Sequence, residues 1–455
     1  MNASAPATAA TRSLPRVVAA SLIGTTIEWY DYFLYGTAAA LVFNKLFFPN
    51  TDPLTGTLLS FLTYAIGFAA RPIGALVFGH FGDRVGRKKL LVVSLLLMGG
   101  STTLIGVLPT YSSIGAAAPV LLTVLRLVQG FALGGEWGGA VLLVSEHGDQ
   151  RRRGFWASWP QGGAPAGNLL AAGVLSLLTA VLSEDAFLSW GWRVPFLLSA
   201  VLVGVGLWIR LAVDESPLFK QALAAQQQRR TAEQPPLVAV LRNHWREVLV
   251  AMGARMAENI SYYVMTTFVL TYAVTHAHFS KQTALNAVLI GSAIQFALIP
   301  LFGALSDRVG RKPVYLVGAV GVGVWAFVFF GLVDTRSFGQ LVVAVTVGLV
   351  FHSAMYAPQA AFFSELFATR MRYSGASIGA QFASVAAGAP APLIATALLK
   401  DYGNATPISV YVAIAAAITV LAVLCGRETR GSDLADVEAA VEAEAAAVAA
   451  KPATA

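Results

Sequence analysis

Long apolar segments alternate with short polar connections along the whole chain. A helix that crosses a bilayer needs about 20 mostly apolar residues, and repeated segments of this sequence meet that requirement. The polar run from Asp214 to Trp245 divides the series and predicts a linker between two six-helix halves. The pattern predicts twelve spanning helices, at residues 17–43, 56–78, 89–108, 117–144, 155–182, 193–213, 247–275, 284–305, 314–333, 339–366, 374–399 and 407–426.

Composition supports the same fold class, an all-α integral membrane protein. Hydrophobic residues make up 56% of the 455 residues and charged residues only 12%, with a mean hydropathy of +0.66. Globular soluble domains carry about 25% charged residues. The single cysteine, Cys425, excludes an internal disulfide. The net charge of +7 does not indicate nucleic-acid binding, because the basic residues lie in short clusters between apolar runs.

The basic clusters fall on one side of the membrane if the helices alternate in direction. Loops rich in Lys and Arg face the cytoplasm, so we expect a multi-pass protein of the plasma membrane with both termini cytoplasmic. Trp190 and Trp192 are interpreted as part of an interfacial aromatic belt. The predicted organisation is a cytoplasmic tail at 1–15, an N-terminal bundle at 16–213, a cytoplasmic linker at 214–245, a C-terminal bundle at 246–427 and a disordered tail at 428–455.

Two sequence echoes indicate that the halves are duplicated. GHFGDRVGRKK, from Gly79, and GALSDRVGRKP, from Gly303, share seven of eleven residues. SEHGDQRRR, from Ser145, resembles SELFATRMR, from Ser364. A parallel repeat of this kind is typical of transporters. The first echo either marks topology alone or forms a conformational gate of breakable ion pairs, and its duplication favours a gate. The candidate gate residues are Gly79, Asp83, Arg84, Gly86, Arg87, Asp307, Arg308, Gly310 and Arg311.

Ionisable residues within the predicted spans are the candidate functional residues. A charged side chain at the bilayer centre costs at least about 2.5–3.5 kcal/mol, so it indicates function by default. Glu28, Asp31 and Tyr35 share one face of the first helix. Two carboxylates one turn apart disfavour double ionisation, so one of them is expected to exchange a proton, and the sequence leaves open which. Arg126 either stabilises the ionised acid or binds an anionic substrate.

Three further polar stripes occur at helical spacing, in the fourth, seventh and tenth helices. In the seventh helix Arg255 and Glu258 form either a structural ion pair or a functional one. Glu136, among glycines of the fourth helix, is either functional or a packing hydrogen bond. The candidate substrate-cavity residues are Tyr35, Gln129, Glu136, Trp137, Arg255, Glu258, Asn259, Tyr262, His352, Tyr356 and Gln359.

Several motifs extend this pattern to a known family. The chain resembles the major facilitator superfamily in the duplicated loop. It is similar to the metabolite:proton symporters in EWYDYFLYG, ARPIGALVFGHFGDRVGRKK, LRLVQGFALGGEWGGA and SWGWRVPFLLS. That family includes carriers of shikimate, 2-oxoglutarate, citrate, and proline or glycine betaine, and this chain looks most like the shikimate branch. The resemblance covers about Arg16 to Arg427. It implies a central cavity lined by helices 1, 4, 7 and 10, and proton coupling by Asp31 or Glu28 with Arg126.

These observations predict a proton-coupled symporter that imports a small polar metabolite, such as a carboxylate, by alternating access. The alternatives are a proline or betaine symporter and, less favoured, a drug/proton antiporter. The sequence has no P-loop, HExxH or GxSxG motif, which argues against an enzyme and against ATP-driven transport. A membrane receptor has no need of paired acids in a duplicated core. We expect no cofactor and no metal. The expected partners are the metabolite, H⁺ and the lipid bilayer, and we expect the protein to work as a monomer.

Overall fold

The computed structural model describes residues 8–75, 77–78, 87–134, 150–212, 245–366, 381–388 and 390–431. All regular secondary structure in these ranges is helical. Several predictions lie outside the described residues: Gly79, Asp83, Arg84 and Gly86 of the gate, Glu136 and Trp137 of the cavity, the linker up to residue 244, and the tail from residue 432. Arg87 begins a helix, but its side chain is not described.

The first half contains six helices in the predicted order. They are α1 (Thr8–Ala38), α2 (Pro53–Ala75), α3 (Arg87–Val107), α4 (Ala117–Leu133), α5 (Arg153–Val181) and α6 (Arg193–Ala212). The second half repeats this order. Its helices are α7 (Trp245–Tyr263, continued by Val264–Phe268 and Val269–Thr275), α8 (Lys281–Val309), α9 (Arg311–Asp334), α10 (Phe338–Leu366), α11 (Gln381–Tyr402) and α12 (Thr406–Cys425).

Apolar surface identifies the helices as membrane-spanning. Within the described residues, seven helices are long and apolar enough to cross a bilayer, or eight if the bent pair at α6 is one span. Large side chains such as Val181, Val324 and Leu421 are more than 60% exposed on their outer faces, where lipid covers them. The polar and charged residues within α1 and α7 lower the hydropathy of those two helices. The architecture is the twelve-helix fold of two pseudo-symmetric six-helix bundles.

The two halves pack together mainly through α5 against α8 and α10, and through α2 against α11. Asn168 of α5 donates to Ser292 of α8 at 3.0 Å, and these two residues are buried in the seam. Odd-numbered helices begin at one end of the bundle, which carries the Arg-rich connections and is called the basic end below. The other is called the opposite end. Both ends hold contacts between the halves, with a cleft between them.

A π-helical turn occurs at matching places in the two halves. Residues Ala39–Phe43 continue α1, and residues Val264–Phe268 interrupt α7. π-turns are rare and often lie at functional sites. A third, Ser384–Gly388, lies in α11 beside the cleft. The duplication seen in the sequence therefore extends to irregular backbone of the helices around the central cavity.

Candidate functional site

A cleft that is partly open to solvent lies between the two halves. Sites for small molecules are typically concave and combine apolar walls with a few polar groups. Both halves contribute to the cleft, through α1, α2 and α4 on one side and α7 and α11 on the other. Its lining residues are Glu28, Trp29, Tyr32, Arg71, Leu133, Arg255, Gln381 and Ser384.

Two buried arginines of the first half lie over one tyrosine ring. The guanidinium carbons of Arg71 and Arg126 each lie 4.8 Å from the centre of the Tyr32 ring. Arg126 also lies over Tyr35 at 4.4 Å and over Tyr64 at 4.6 Å. Each desolvated cation–π contact contributes up to about 2 kcal/mol. The aromatic residues therefore hold the two guanidinium groups in place.

Arg126 reaches this position because Gly67 of α2 leaves room for it. A Cβ on Gly67 would lie 2.8 Å from the side chain of Arg126. Arg126 donates to the side chain of Gln129, which in turn donates to Thr102 at 2.7 Å. Nε and Nη2 of Arg126 have no hydrogen-bond partner among the described residues. A guanidinium with two free donors at a buried position can bind a further acceptor.

Asp31 lies behind the cleft, inside the first half. Its Oδ1 accepts a hydrogen bond from Ser199 of α6, and Oδ2 has no partner among the described residues. The side chain is only 1% exposed. Thr102 lies beside the carboxylate and the charge of Arg126 acts on it. A buried carboxylate with one oxygen bound and one free is suited to accept a proton.

Glu28 differs from Asp31 in environment, although both are on α1. Glu28 is partly exposed and lines the cleft. Positions three apart on a helix differ by about 60° in direction, which is enough to separate the cleft from the interior of the bundle. Tyr35 shares the interior side with Asp31, and its hydroxyl bonds to Thr63. The predicted single stripe therefore divides into a cleft-facing acid and an interior acid.

A polar network in the second half surrounds Glu258. Its Oε2 lies 3.4 Å from Nε of Arg255 and accepts hydrogen bonds from Asn259 at 3.0 Å and Gln359 at 3.2 Å. Gln359 also donates to the hydroxyl of Tyr315 at 3.0 Å. The network joins α7, α9 and α10, and only Arg255 of these five residues lines the cleft. Arg255 and Glu258 are therefore a pair that stabilises the second half and also presents a cation to the cleft.

His352 of α10 lies next to this network. Its Nε2 is 3.5 Å from Oε1 of Glu258, and its Nδ1 is 2.7 Å from the amide nitrogen of Gln295. Its ring packs on Tyr262 and Tyr356 at centroid distances of 4.7 and 5.2 Å. The predicted residues of α7 and α10 therefore lie together.

A buried ion cluster joins the halves at the basic end. Glu365 of α10 accepts from Arg153 of α5 at 3.0 Å and from Arg311 of α9 at 3.2 Å. Asp307 of α8 pairs with Arg311 at 2.6 Å and accepts from the backbone N–H groups of residues 154 and 155 at 2.8 and 2.9 Å. Those N–H groups belong to the first turn of α5, whose dipole favours an anion. The cluster therefore joins the two halves at the basic end.

Close backbone packing and contacts from residues 428 and 429 add to this junction between the halves. A Cβ on Gly154 would lie 2.6 Å from the carbonyl oxygen of Gly303. Gly310 has φ of 116°, and a Cβ there would lie 2.9 Å from Glu428. Glu428 accepts from the backbone N–H of Arg311 at 2.9 Å. Thr429 donates to Glu365 at 2.7 Å. The sequence pattern placed residues 428 and 429 in the tail, but they lie against the ion cluster.

A smaller set of ion pairs joins the halves at the opposite end. Glu184, which follows α5, accepts from Lys45 at 2.8 Å and from Lys281 of α8 at 3.1 Å. These hydrogen bonds lower the pKa of Glu184 to about 2. A lowered pKa means that the contribution to closure is present above the ordinary carboxylate pKa and is lost only as pH falls towards 2. Because the groups are exposed, each bond contributes little.

The structure places the described candidate residues in four groups. The cleft holds Glu28 and Arg255, and the interior of the first half holds Asp31, Tyr35, Arg126 and Gln129. The network of the second half holds Glu258, Asn259, Tyr262, His352, Tyr356 and Gln359. At the gate, Asp307, Gly310 and Arg311 take part, whereas Arg308 is exposed and is not in the cluster.

Sequence reasoning missed several residues of these groups, and two of them carried a usable signal. Arg153 and Glu365 belong to the second echo, SEHGDQRRR and SELFATRMR, which marked them without assigning a role. Arg71 is a single charge in an apolar helix, and its spacing places no acid on the same stripe. Thr102, Ser199, Gln295 and Tyr315 are ordinary polar residues of spans, and nothing in the sequence separates them from other such residues.

Comparison with known proteins decides the family. The sequence model of the sugar (and other) transporter family matches residues 17–234 and 220–441. The chain belongs to the major facilitator superfamily of transporters. The proton:xylose symporter XylE superposes with a TM-score of 0.72 at 18% identity, covering 94% of this chain and 99% of XylE. At that identity the likeness to XylE concerns the fold.

Curated members of the superfamily match nearly end to end. The shikimate transporter of Escherichia coli is 38% identical over 91% of this chain and 95% of its own length. The inner membrane metabolite transport protein YhjE of Escherichia coli is 41% identical, over 92% of this chain and 95% of its own length. The proline/betaine transporter of Escherichia coli is 33% identical, over 92% of this chain and 85% of its own length. The chain is therefore a membrane transporter of small molecules and not an enzyme.

Proposed function

We propose that this superfamily member is a proton-coupled symporter that imports a small carboxylate by alternating access. The observation that carries the proposal is the cleft between the halves, where Arg71 and Arg255 present two guanidinium groups from opposite sides. Arginine binds carboxylates through paired hydrogen bonds. The site lies between two repeats, and ion pairs join the halves at each end of it. This arrangement is suited to rocking of the halves about a bound substrate. The shikimate transporter, a relative that carries a carboxylate by its name, supports this class.

Proton coupling is assigned to the acids of α1. Asp31 has a free carboxylate oxygen in a buried position, and Thr102 and Gln129 connect its surroundings to Arg126. Protonation of Asp31 removes a negative charge that Arg126 faces. Binding of the proton therefore changes the electrostatics of the interior of the first half. Glu28 is the second candidate, because it shares the cleft with the substrate.

Charge balance around the cleft favours uptake of a proton with an anion. Among the described residues the central cations are Arg71, Arg126 and Arg255, and the central acids are Glu28, Asp31 and Glu258. Equal numbers of each leave no net charge in a medium where an unbalanced charge is costly. A monocarboxylate adds one negative charge, and one proton on an acid restores the balance. For the described residues, this balance supports movement of a proton together with a monocarboxylate.

A proline or betaine symporter is the alternative, and the aromatic geometry disfavours it. A quaternary ammonium group needs free aromatic faces. Two guanidinium groups already lie over the Tyr32 ring, and one face of Trp29 is stacked on Phe33 at 5.0 Å. The two cleft arginines likewise disfavour the cationic substrates of a drug antiporter.

Orientation and assembly follow as parts of the same proposal. We place the basic end in the cytoplasm, with both termini there, because loops rich in Lys and Arg stay on that side. The relatives from Escherichia coli include a protein named for the inner membrane, which supports a bacterial plasma membrane. We also propose that the protein functions as a monomer.

Ligand binding to the purified protein tests the substrate class. A ligand that binds the folded state at 100 times its Kd stabilises it by about 2.7 kcal/mol. We expect shikimate, 2-oxoglutarate or citrate to raise the melting temperature, and glycine betaine to leave it unchanged. The measurement is a thermal-shift series over ligand concentration. Stabilisation by glycine betaine alone would replace the carboxylate proposal with the betaine alternative.

A further inference from the structure

Arg71 is a buried cation that has no acid beside it among the described residues. The residue is 6% exposed, and its Nε has no hydrogen-bond partner among the described residues. No carboxylate of the described chain lies within ion-pair distance of its guanidinium, which instead packs on Phe68 at 4.2 Å and Tyr32 at 4.8 Å. The same guanidinium lines the cleft. Arg71 therefore has the position expected of a residue that binds an anionic ligand.

Other arginines between the halves have acids as partners. Arg255 pairs with Glu258, and Arg153 and Arg311 share Glu365. A buried charge is ordinarily neutralised by a partner, because removing it from water is costly. Aromatic faces compensate only part of that cost. Among the described residues Arg71 and Arg126 both depart from this rule, and of these two only Arg71 lines the cleft, where an external anion has access.

We propose that Arg71 is the principal binding residue for the carboxylate of the substrate, with Arg255 facing it from the second half. The inference rests on the proposed carboxylate symport and adds the residue that confers charge selectivity. Arg255 already shares its charge with Glu258, so the stronger field in the cleft comes from Arg71. A carboxylate bound to both guanidinium groups connects α2 to α7 and thereby ties the two halves together.

The arrangement also limits the substrate charge. Glu28 lines the same cleft and repels a second negative group while it is ionised. The cleft therefore selects compounds with one carboxylate and uncharged polar groups over dicarboxylates. Trp29 supplies aromatic ring surface next to the anion site, which suits a compact cyclic acid.

Charge-matched ligands and variants test this role. The probes are shikimate, 2-oxoglutarate and citrate, together with the uncharged methyl ester of shikimate. The variants are Arg71→Gln and Arg71→Lys, with Arg246→Gln as the control, because Arg246 is an exposed arginine near the start of α7. Binding is measured by titration calorimetry on the purified full-length protein, and the melting temperature of each variant is recorded without ligand.

We expect Arg71→Gln to weaken binding of the preferred carboxylate about 10- to 100-fold, the effect of losing one hydrogen bond to a charged group. Affinity for the methyl ester should stay within about twofold, since the ester has no charge for Arg71 to bind. Arg71→Lys should recover part of the affinity, and Arg246→Gln should match the wild type.

Two results overturn the inference. If the wild type binds a carboxylate and Arg71→Gln binds it equally well, Arg71 is not the anion site while the proposed function stands. If Arg71→Gln loses acid and ester in the same proportion, together with thermal stability, the residue has a structural role only. If the wild type binds none of the three acids, the proposed function itself fails.

Discussion

Replacing Asp31 with asparagine is expected to abolish accumulation driven by a pH gradient while leaving exchange of substrate intact. Asparagine keeps the shape and accepts the hydrogen bond from Ser199, but it cannot bind and release a proton. One pH unit across the membrane supplies about 1.4 kcal/mol per proton, or about a tenfold accumulation. We therefore expect about tenfold accumulation by the wild type and none by Asp31→Asn in proteoliposomes, with counterflow retained.

Two further variants make this result specific. Asp334→Asn removes an exposed acid at the opposite end of α9 and should accumulate substrate like the wild type. Glu28→Gln separates the two candidate acids, because only the coupling residue should lose accumulation and retain counterflow. Full pH-driven uptake by Asp31→Asn would remove Asp31 from the coupling step.

Replacing Glu365 with glutamine is expected to open the basic end. Glu365 is fully buried, and its ion pair with Arg153 of the first half exists only while the halves are joined there. Breaking a buried ion pair costs about 3–5 kcal/mol. Because the cost falls on the closed state alone, the closed population should decrease more than about 100-fold relative to the open one. Transport should slow sharply, since the cycle needs both states.

A buried cysteine reports this opening. Ser158 is fully buried in the seam between α5 and α8, so Ser158→Cys, in a chain with Cys425→Ser, should react with a maleimide only when the basic end opens. We expect faster labelling after Glu365→Gln. Glu184→Gln, which weakens the opposite end, is the matched control and should not accelerate it. Equal labelling rates with and without Glu365 would show that the cluster does not close the basic end.

Helical periodicity accounts for much of the fold and part of the site. Apolar length and the break at the linker predicted twelve helices in two bundles, and the fold confirms this. The i, i+3 spacing put Glu28 and Asp31 on one stripe. A rotation of about 60° between them is enough to turn one towards the cleft and the other towards Ser199. Sequence spacing alone cannot resolve that difference, because it depends on which helices pack against α1.

Partners from distant parts of the chain explain the remaining gaps. Trp192 was predicted to lie in the aromatic belt, and this is wrong: it is fully buried against Phe43 and Phe196, with Arg193 over its ring at 4.5 Å. Glu365 gains its role from Arg153, more than 200 residues away. Such pairings arise from how helices meet, so local pattern identifies the residues and tertiary packing assigns their functions.

The movement of protons with substrate tests the central claim most directly. Purified protein is placed in weakly buffered liposomes with the membrane potential clamped, and a pH electrode records the medium as shikimate, 2-oxoglutarate or citrate is added. Proton symport predicts that the medium becomes more alkaline as the transported acid enters, and that Asp31→Asn abolishes the signal. Entry of a labelled carboxylate with no change in the external pH would contradict proton-coupled symport.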